Sequence, residues 1–212
     1  MLGELILVPT DFSDYSRSAL VYALALAKGL ELDVLVYHSF DVGIAPGASP
    51  NTYQKLHEQE EARAQNRLAN FVADFKTKKT STNITVLTNS GDAKEEIPKV
   101  AEEHKVALIV MGTQGSAGLQ EVFLGSVTVS VAQNVPCPVL AVPMGLVYEN
   151  FENIVYATNF DNDDPQIIDT LLSLGEYFDS KLTCLHIYNQ MEDCLVSNKK
   201  MERLEKKYED FI

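Results

Sequence analysis

Basic residues are scarce in this chain. Its 212 residues hold 17 Lys and Arg against 30 Asp and Glu, a formal net charge of −13. That balance argues against a nucleic-acid groove and against an anionic membrane surface. Cysteine is scarce as well. Cys137, Cys184 and Cys194 are too few and too scattered for a disulfide framework or a metal site, and they fit a reducing, cytoplasmic setting. Cys137, set between Pro136 and Pro138, reads as a small core hydrophobe. No apolar run approaches the roughly 20 residues that cross a bilayer. The N-terminal segment has no basic region and leads straight into an apolar run, so it does not read as a signal peptide.

Apolar residues make up 46% of the chain, enough for a sizeable core. Residues 5–9 form a short, continuously apolar run, as expected of a strand buried on both faces. Residues 10–13 (Thr-Asp-Phe-Ser) end it and offer helix caps. Ala19, Leu20, Ala23, Leu24 and Ala27 recur at helical spacing, which predicts a helix over 16–29 with Gly29 as its stop. The same reading predicts strands over 33–38, 83–88, 107–111 and 139–142, and helices over 52–79 and 126–134. Asp92 with Glu95 resembles a capping box for a further helix, in which Pro98 would mark a kink. Strands alternating with helices imply a parallel sheet with right-handed crossovers, whose ligands sit beyond the carboxyl ends of the strands. Thr10 and Asp11, His38 and Ser39, and Gly112 all fall at such ends.

The most informative stretch is 110–127. It joins an apolar run to an amphipathic segment through Gly112, Gly115, Gly118 and Gly125. Glycines let the backbone turn sharply and approach a ligand closely. Gly125 and Ser126 fall where the next helix should begin, and the free N–H groups and dipole of a helix start favour an anion. The layout suits a phosphate at a strand-to-helix turn. It is no Walker A motif, because no Gly-Lys-Ser/Thr follows. Residues 111–134 contain no Lys, Arg or His at all. Efficient phosphoryl transfer needs positioned cations, so binding fits this loop better than turnover.

The chain then begins again. Residues 154–160 echo 6–12 at an offset of 148, and the same offset sets Leu172 on Leu24, Leu174 on Leu26 and His186 on His38. This is an internal repeat. It stops after the second strand, with a charged and helical segment over 191–211. Two readings stand: a fragment of a longer tandem protein, or a half-unit completed by packing on something else. The expected division is 1–145 for a complete domain carrying the nucleotide site and 146–212 for a partial, degenerate second copy. In that copy Asn159 replaces Asp11, Ala157 replaces Pro9, and acids at 161–164 would repel phosphate.

These residues resemble the universal stress protein family, over essentially all of 1–143 and the first half of a second copy. The pattern Gly112, two residues, Gly115, nine residues, Gly125-Ser126 matches the family's ATP-binding branch. The opening at 8–12 (Val-Pro-Thr-Asp-Phe) and the ending at 137–142 match as well. The resemblance implies an α/β fold, an open five-stranded parallel sheet flanked by helices, Rossmann-like and akin to the adenine-nucleotide α-hydrolases. It implies ATP, or ADP or AMP, bound with Mg²⁺, and a homodimer that signals to a regulatory protein partner. By resemblance Pro9, Thr10 and Asp11 line the nucleoside side, Ser39 lies near the adenine, and Met111, Gly112, Gly115, Gly125, Ser126 and Val127 surround ribose and phosphates. Asp11 could accept from adenine or ribose, or hold the metal that bridges to the phosphates.

Simpler readings stand beside these. The glycine loop could be only a tight connection. Asp11 and Ser126 read equally well as helix caps or as ligand contacts. His38 fits strand packing or a backbone hydrogen bond better than catalysis. His57 and His104 read as surface residues. Two other functions compete: a nucleotide-free dimeric scaffold of the same family, and an adenylating enzyme, whose His-x-x-His or Ser-Gly-Gly-x-Asp motif residues 10–13 do not match.

Overall fold

The apolar run Leu5–Pro9 forms β1 and is followed by α1 (Asp14–Leu30), β2 (Asp33–Phe40), α2 (Pro50–Ala73), β3 (Ile84–Ser90), α3 (Ala93–Glu103), β4 (Leu108–Gly112), α4 (Ser126–Asn134) and β5 (Val139–Val142). The computed structural model describes residues 4–43, 49–76, 82–114, 124–159, 164–187, 199–203 and 206. The five strands form one sheet in the order β3-β2-β1-β4-β5, every neighbouring pair parallel. This is the α/β architecture that the alternation of strand and helix signals predicts.

The central strands β1, β2 and β4 are largely apolar on both faces because each face is covered. Leu7, Leu35, Tyr37, Ile109 and Met111 pack with Ile97, Val100 and Ala101 of α3 and Val131 of α4. The alternating residues Ile6, Val8, Val34, Val36 and Val110 are fully buried on the other face, the side of α1 and α2. Burying one such aliphatic side chain contributes about 1.5–3 kcal/mol, so these layers dominate the stability of the unit.

Several boundaries differ from the sequence reading. Gly29 lies inside α1, and the left-handed C-cap position falls to Glu31 at φ 55°, whose N–H donates to the Ala27 carbonyl. α2 ends at Ala73, short of the predicted 79. β2 and β3 run on to Phe40 and Ser90, because their ladder continues through Ser39↔Asn89 and Phe40↔Ser90. Asp92 caps α3 through the Lys94 N–H at 2.8 Å, and the helix passes through Pro98.

The chain divides into two compact units, Met1–Tyr148 and Glu149–Ile212. Residues after β5 stay with the first unit for a physical reason: the Gly145 N–H donates to the Ser18 hydroxyl, and the Tyr148 ring meets Tyr22 edge-on at 5.1 Å. The second unit holds β6 (Asn153–Ala157), α5 (Asp164–Phe178) and β7 (Lys181–Leu185), with β6 and β7 paired in parallel. Tyr156, Ile168 and Leu182 form its core. The offset of 148 relates several positions of the two units. Asn153↔Lys181 matches Leu5↔Asp33, and the left-handed residue Asp179 (φ 55°) matches Glu31. The acids over 161–163 and most of the segment 191–211 lie outside the described residues.

Candidate functional site

The strand order sets the place of the site. β1 leads outward to β2 and β3, whereas β4 and β5 lie on its other side. Between β1 and β4 the connections diverge to opposite faces, which opens a crevice at the carboxyl ends of these two strands. Pro9, Thr10 and Asp11 stand at one lip and Gly112 at the other.

On the β4 lip the glycine loop is pinned at its base. The Gly125 N–H donates to the Thr113 carbonyl at 2.6 Å, and the Thr128 hydroxyl donates to the Gly112 carbonyl at 3.0 Å. Gly112 and Gly125 are thereby held side by side. Gly115, Gly118 and the rest of 115–123 lie outside the described residues. Gly125 is the N-cap of α4, and among the described residues no side chain caps this helix. The first N–H groups of a helix need acceptors from outside it. Ser126 is exposed at that start, and Val127 turns to the core instead. Gly112 has a packing reason of its own, because a Cβ there would stand 2.9 Å from Tyr15 Cβ and 3.0 Å from the Tyr15 carbonyl oxygen. Met111 is 6% exposed and its side chain belongs to the core, so only its backbone faces the crevice.

On the β1 lip Thr10 is only 7% exposed and turned inward. Its N–H donates to the Tyr37 carbonyl, and its carbonyl accepts from His38 Nδ1 at 2.8 Å. Its hydroxyl oxygen accepts from the Phe12 N–H at 3.0 Å and lies 2.9 Å from the Ser16 hydroxyl. Ser16 spends its own proton on the Ser13 carbonyl, so Thr10 donates to Ser16. Thr10 therefore shapes the turn, and Asp11 is the residue it presents to solvent. Asp11 Oδ1 accepts from the Ser13 N–H at 3.0 Å and the Ser13 hydroxyl at 2.5 Å. Ser13 itself caps α1. Pro9 is buried at the last rung of the β1–β2 ladder, and Ser39 is half-buried near the end of β2.

Phe12 adopts φ 67°, a left-handed conformation that costs a bulky residue about 1–3 kcal/mol. Its ring is held by His38 (centroids 4.3 Å apart), by Phe71 edge-on, and by the Arg67 guanidinium 4.1 Å from the ring centroid. Burial pushes the His38 pKa below its ordinary value, and Arg67 adds to this. The Thr10 hydrogen bond and Asp11 pull the other way. A scan of the glycine loop for cations misses Arg67, which comes from α2, 55 positions along the chain from Phe12. His57 also departs from the surface reading, lying 3.3 Å from the Ser90 hydroxyl and against Phe40. Cys137 is half-buried against the core, as its sequence context predicts, and burial raises its thiol pKa.

Among the described residues no three His, Cys, Asp or Glu cluster to hold a metal, and no helix is long and apolar enough to cross a membrane. A divalent cation here would depend on phosphate oxygens for most of its ligands, with Asp11 the one exposed carboxylate of the β1 turn.

The universal stress protein family model matches residues 4–143. Universal stress protein MJ0531 of Methanocaldococcus jannaschii is 33% identical over 145 residues, covering 66% of this chain and 82% of that protein. The solved structure of hypothetical protein MJ0577, from the same organism, is 27% identical with a TM-score of 0.59, and spans 69% of this chain and 100% of that one. A universal stress protein from Archaeoglobus fulgidus gives a TM-score of 0.66 at 18% identity, over 98% of this chain and 75% of its own, a likeness of fold alone.

Proposed function

The chain belongs to the universal stress protein family, and on that footing we propose that its first unit binds ATP, or the related ADP or AMP, with Mg²⁺. The observation that carries this reading is the start of α4 at a glycine N-cap, without a side-chain cap among the described residues and held beside Gly112 by the Gly125–Thr113 hydrogen bond at the sheet's switch point. Free N–H groups, an exposed serine and the positive end of the helix dipole suit phosphate oxygens. Asp11, exposed across the crevice, suits a ribose hydroxyl, an adenine amino group or the magnesium on the phosphates. Pro9 and Ser39 complete the nucleoside side, and Gly115 with the backbone N–H of Val127, whose side chain packs on the core, the phosphate side.

The second unit is a partial, degenerate repeat without a nucleotide site. It keeps the strand–helix–strand frame but carries Asn159 and Ala157 where the first has Asp11 and Pro9. The output of binding is regulatory. Nucleotide shifts the population of a homodimer or of a state competent for a regulatory protein partner, in a cytoplasmic stress response, and hydrolysis is at most slow. A ligand acts in this way only through differential affinity for two states.

A nucleotide-free dimeric scaffold is the second reading. It is favoured by the apolar residues after edge strand β5, where Met144, Leu146 and Val147 are 55%, 48% and 75% exposed. One experiment separates the two: heat-release of small molecules from freshly purified protein, identified by mass spectrometry, with Ser126→Asp beside it. Aspartate at a helix start keeps the helix stable but repels phosphate. An adenine nucleotide near one per chain, lost in the variant, is the expected result. Wild-type protein that is empty and also ignores added ATP with Mg²⁺ refutes nucleotide binding.

A further inference from the structure

His38 touches both residues that flank Asp11. Its Nδ1 holds the Thr10 carbonyl at 2.8 Å, and its ring packs on Phe12 at 4.3 Å. A carbonyl only accepts, so Nδ1 carries the proton. Phe12 occupies a left-handed conformation, which persists only where its surroundings impose it. The Thr10 hydroxyl takes the Phe12 N–H, and His38 closes the other side of the same turn. Asp11 is thus left exposed between two residues fixed by one imidazole.

The second unit supplies an internal control. His186 Nδ1 lies 2.7 Å from the Thr158 carbonyl, and the Thr158 N–H donates to the Leu185 carbonyl, as Thr10 does to Tyr37. The clamp is the same at an offset of 148. The residue it presents is not, because Asn159 stands where Asp11 does.

We infer that His38 is a positioning residue for nucleotide binding: through Thr10 and Phe12 it fixes the turn that aims Asp11 across the crevice at the ribose, the adenine or the phosphate-bound metal. This rests on the nucleotide reading above. Preorganisation is worth affinity because a turn already fixed has less order to gain on binding. The groups facing the ring are Arg67 from α2 and Asp11 from the turn itself.

The test is calorimetric titration of the full chain with ATP and Mg²⁺, with thermal melts in parallel. His38→Phe keeps an aromatic ring against Phe12 but loses the donor, and is expected to weaken binding about tenfold or more. His38→Asn returns an amide N–H to the Nδ1 position and is expected to bind within about threefold of wild type, whereas His38→Gln, whose amide reaches the Nε2 position, is not. His186→Phe removes the twin clamp and is expected to lower stability while leaving affinity unchanged. If His38→Phe fails to fold, the contrast between Asn and Gln decides. Equal affinity in wild type, His38→Phe and His38→Gln overturns the inference alone. A weakening in His186→Phe equal to that in His38→Phe overturns it too, because the effect is then general destabilisation. A wild-type protein that binds no adenine nucleotide overturns both readings together.

Discussion

The hydroxyl of Thr128 donates to the carbonyl of Gly112 across 3.0 Å, tying the helix after the glycine loop to the strand before it. Thr128 is 5% exposed, so its hydroxyl has little access to water as an alternative partner. Thr128→Val keeps the shape and deletes the bond. The expected cost is about 1 kcal/mol, read by denaturant titration, because the Gly112 carbonyl loses a donor. Amide hydrogen exchange at Gly125 should speed up in the same variant.

Gly112 meets a second constraint on its other side. Gly112→Ala would press a methyl group against the Tyr15 backbone in the first turn of α1, and backbone yields poorly. A loss of about 1–3 kcal/mol is expected. Tyr15→Ala in the same background should recover little, since the Tyr15 carbonyl oxygen, 3.0 Å away, remains.

Tyr37 makes the opposite case. It is 1% exposed, and its hydroxyl has no hydrogen-bond partner among the described residues. Burial, with the Glu96 carboxylate adding to it, pushes its pKa far above the ordinary tyrosine value, so the phenol stays neutral. Tyr37→Phe removes an unsatisfied polar atom at almost constant volume and is expected to be neutral or to stabilise by about 1 kcal/mol in chemical denaturation.

The pH dependence of stability carries a contribution from His38. Its folded pKa lies below the ordinary value, so the unfolded chain binds its proton more readily. Stability from this group is therefore full above about pH 6.5, the unfolded value, and is lost as pH falls from there toward the folded pKa. Melting temperatures between pH 7.5 and 5.5 should fall in the wild type and fall less steeply in His38→Phe. Equal slopes in the two proteins would exclude the contribution.

The sequence is most legible where one physical signal acts alone. β1 and β5 match their predicted limits because each is an apolar run closed by turn residues, and α4 matches because Gly125 and Asn134 bracket its periodicity. The ends of β2 and β3 were less legible. Asn89 and Ser90 look like loop, and only pairing with Ser39 and Phe40 makes them strand. Gly29 reads as a helix stop on local preference, yet the helix continues to Leu30 and Glu31 takes the strained position. At the site, Pro9, Thr10 and Asp11 fall at the carboxyl end of β1 and Gly112 at that of the neighbouring β4, whereas Gly115 lies outside the described residues. What local sequence could not disclose is the support behind them: Tyr15 under Gly112, Thr128 across from it, and His38 and Arg67 on the two flanks of Phe12. Those partners lie 16 to 97 positions away in sequence, and only the fold makes them neighbours.

The pairing of β1 with β4 joins Ile6 to Leu108, partners a hundred residues apart. During synthesis β1, β2 and β3 can all be made and paired before any of β4 exists. The crevice is consequently a late product of the chain, and a nascent or truncated first ninety residues would carry Asp11 with no opposite wall to aim it at. On the proposed reading, nucleotide binding therefore requires the completed sheet. The second unit pairs β6 with β7 alone among the described residues, the stage at which the first unit would still be waiting for its partner strand.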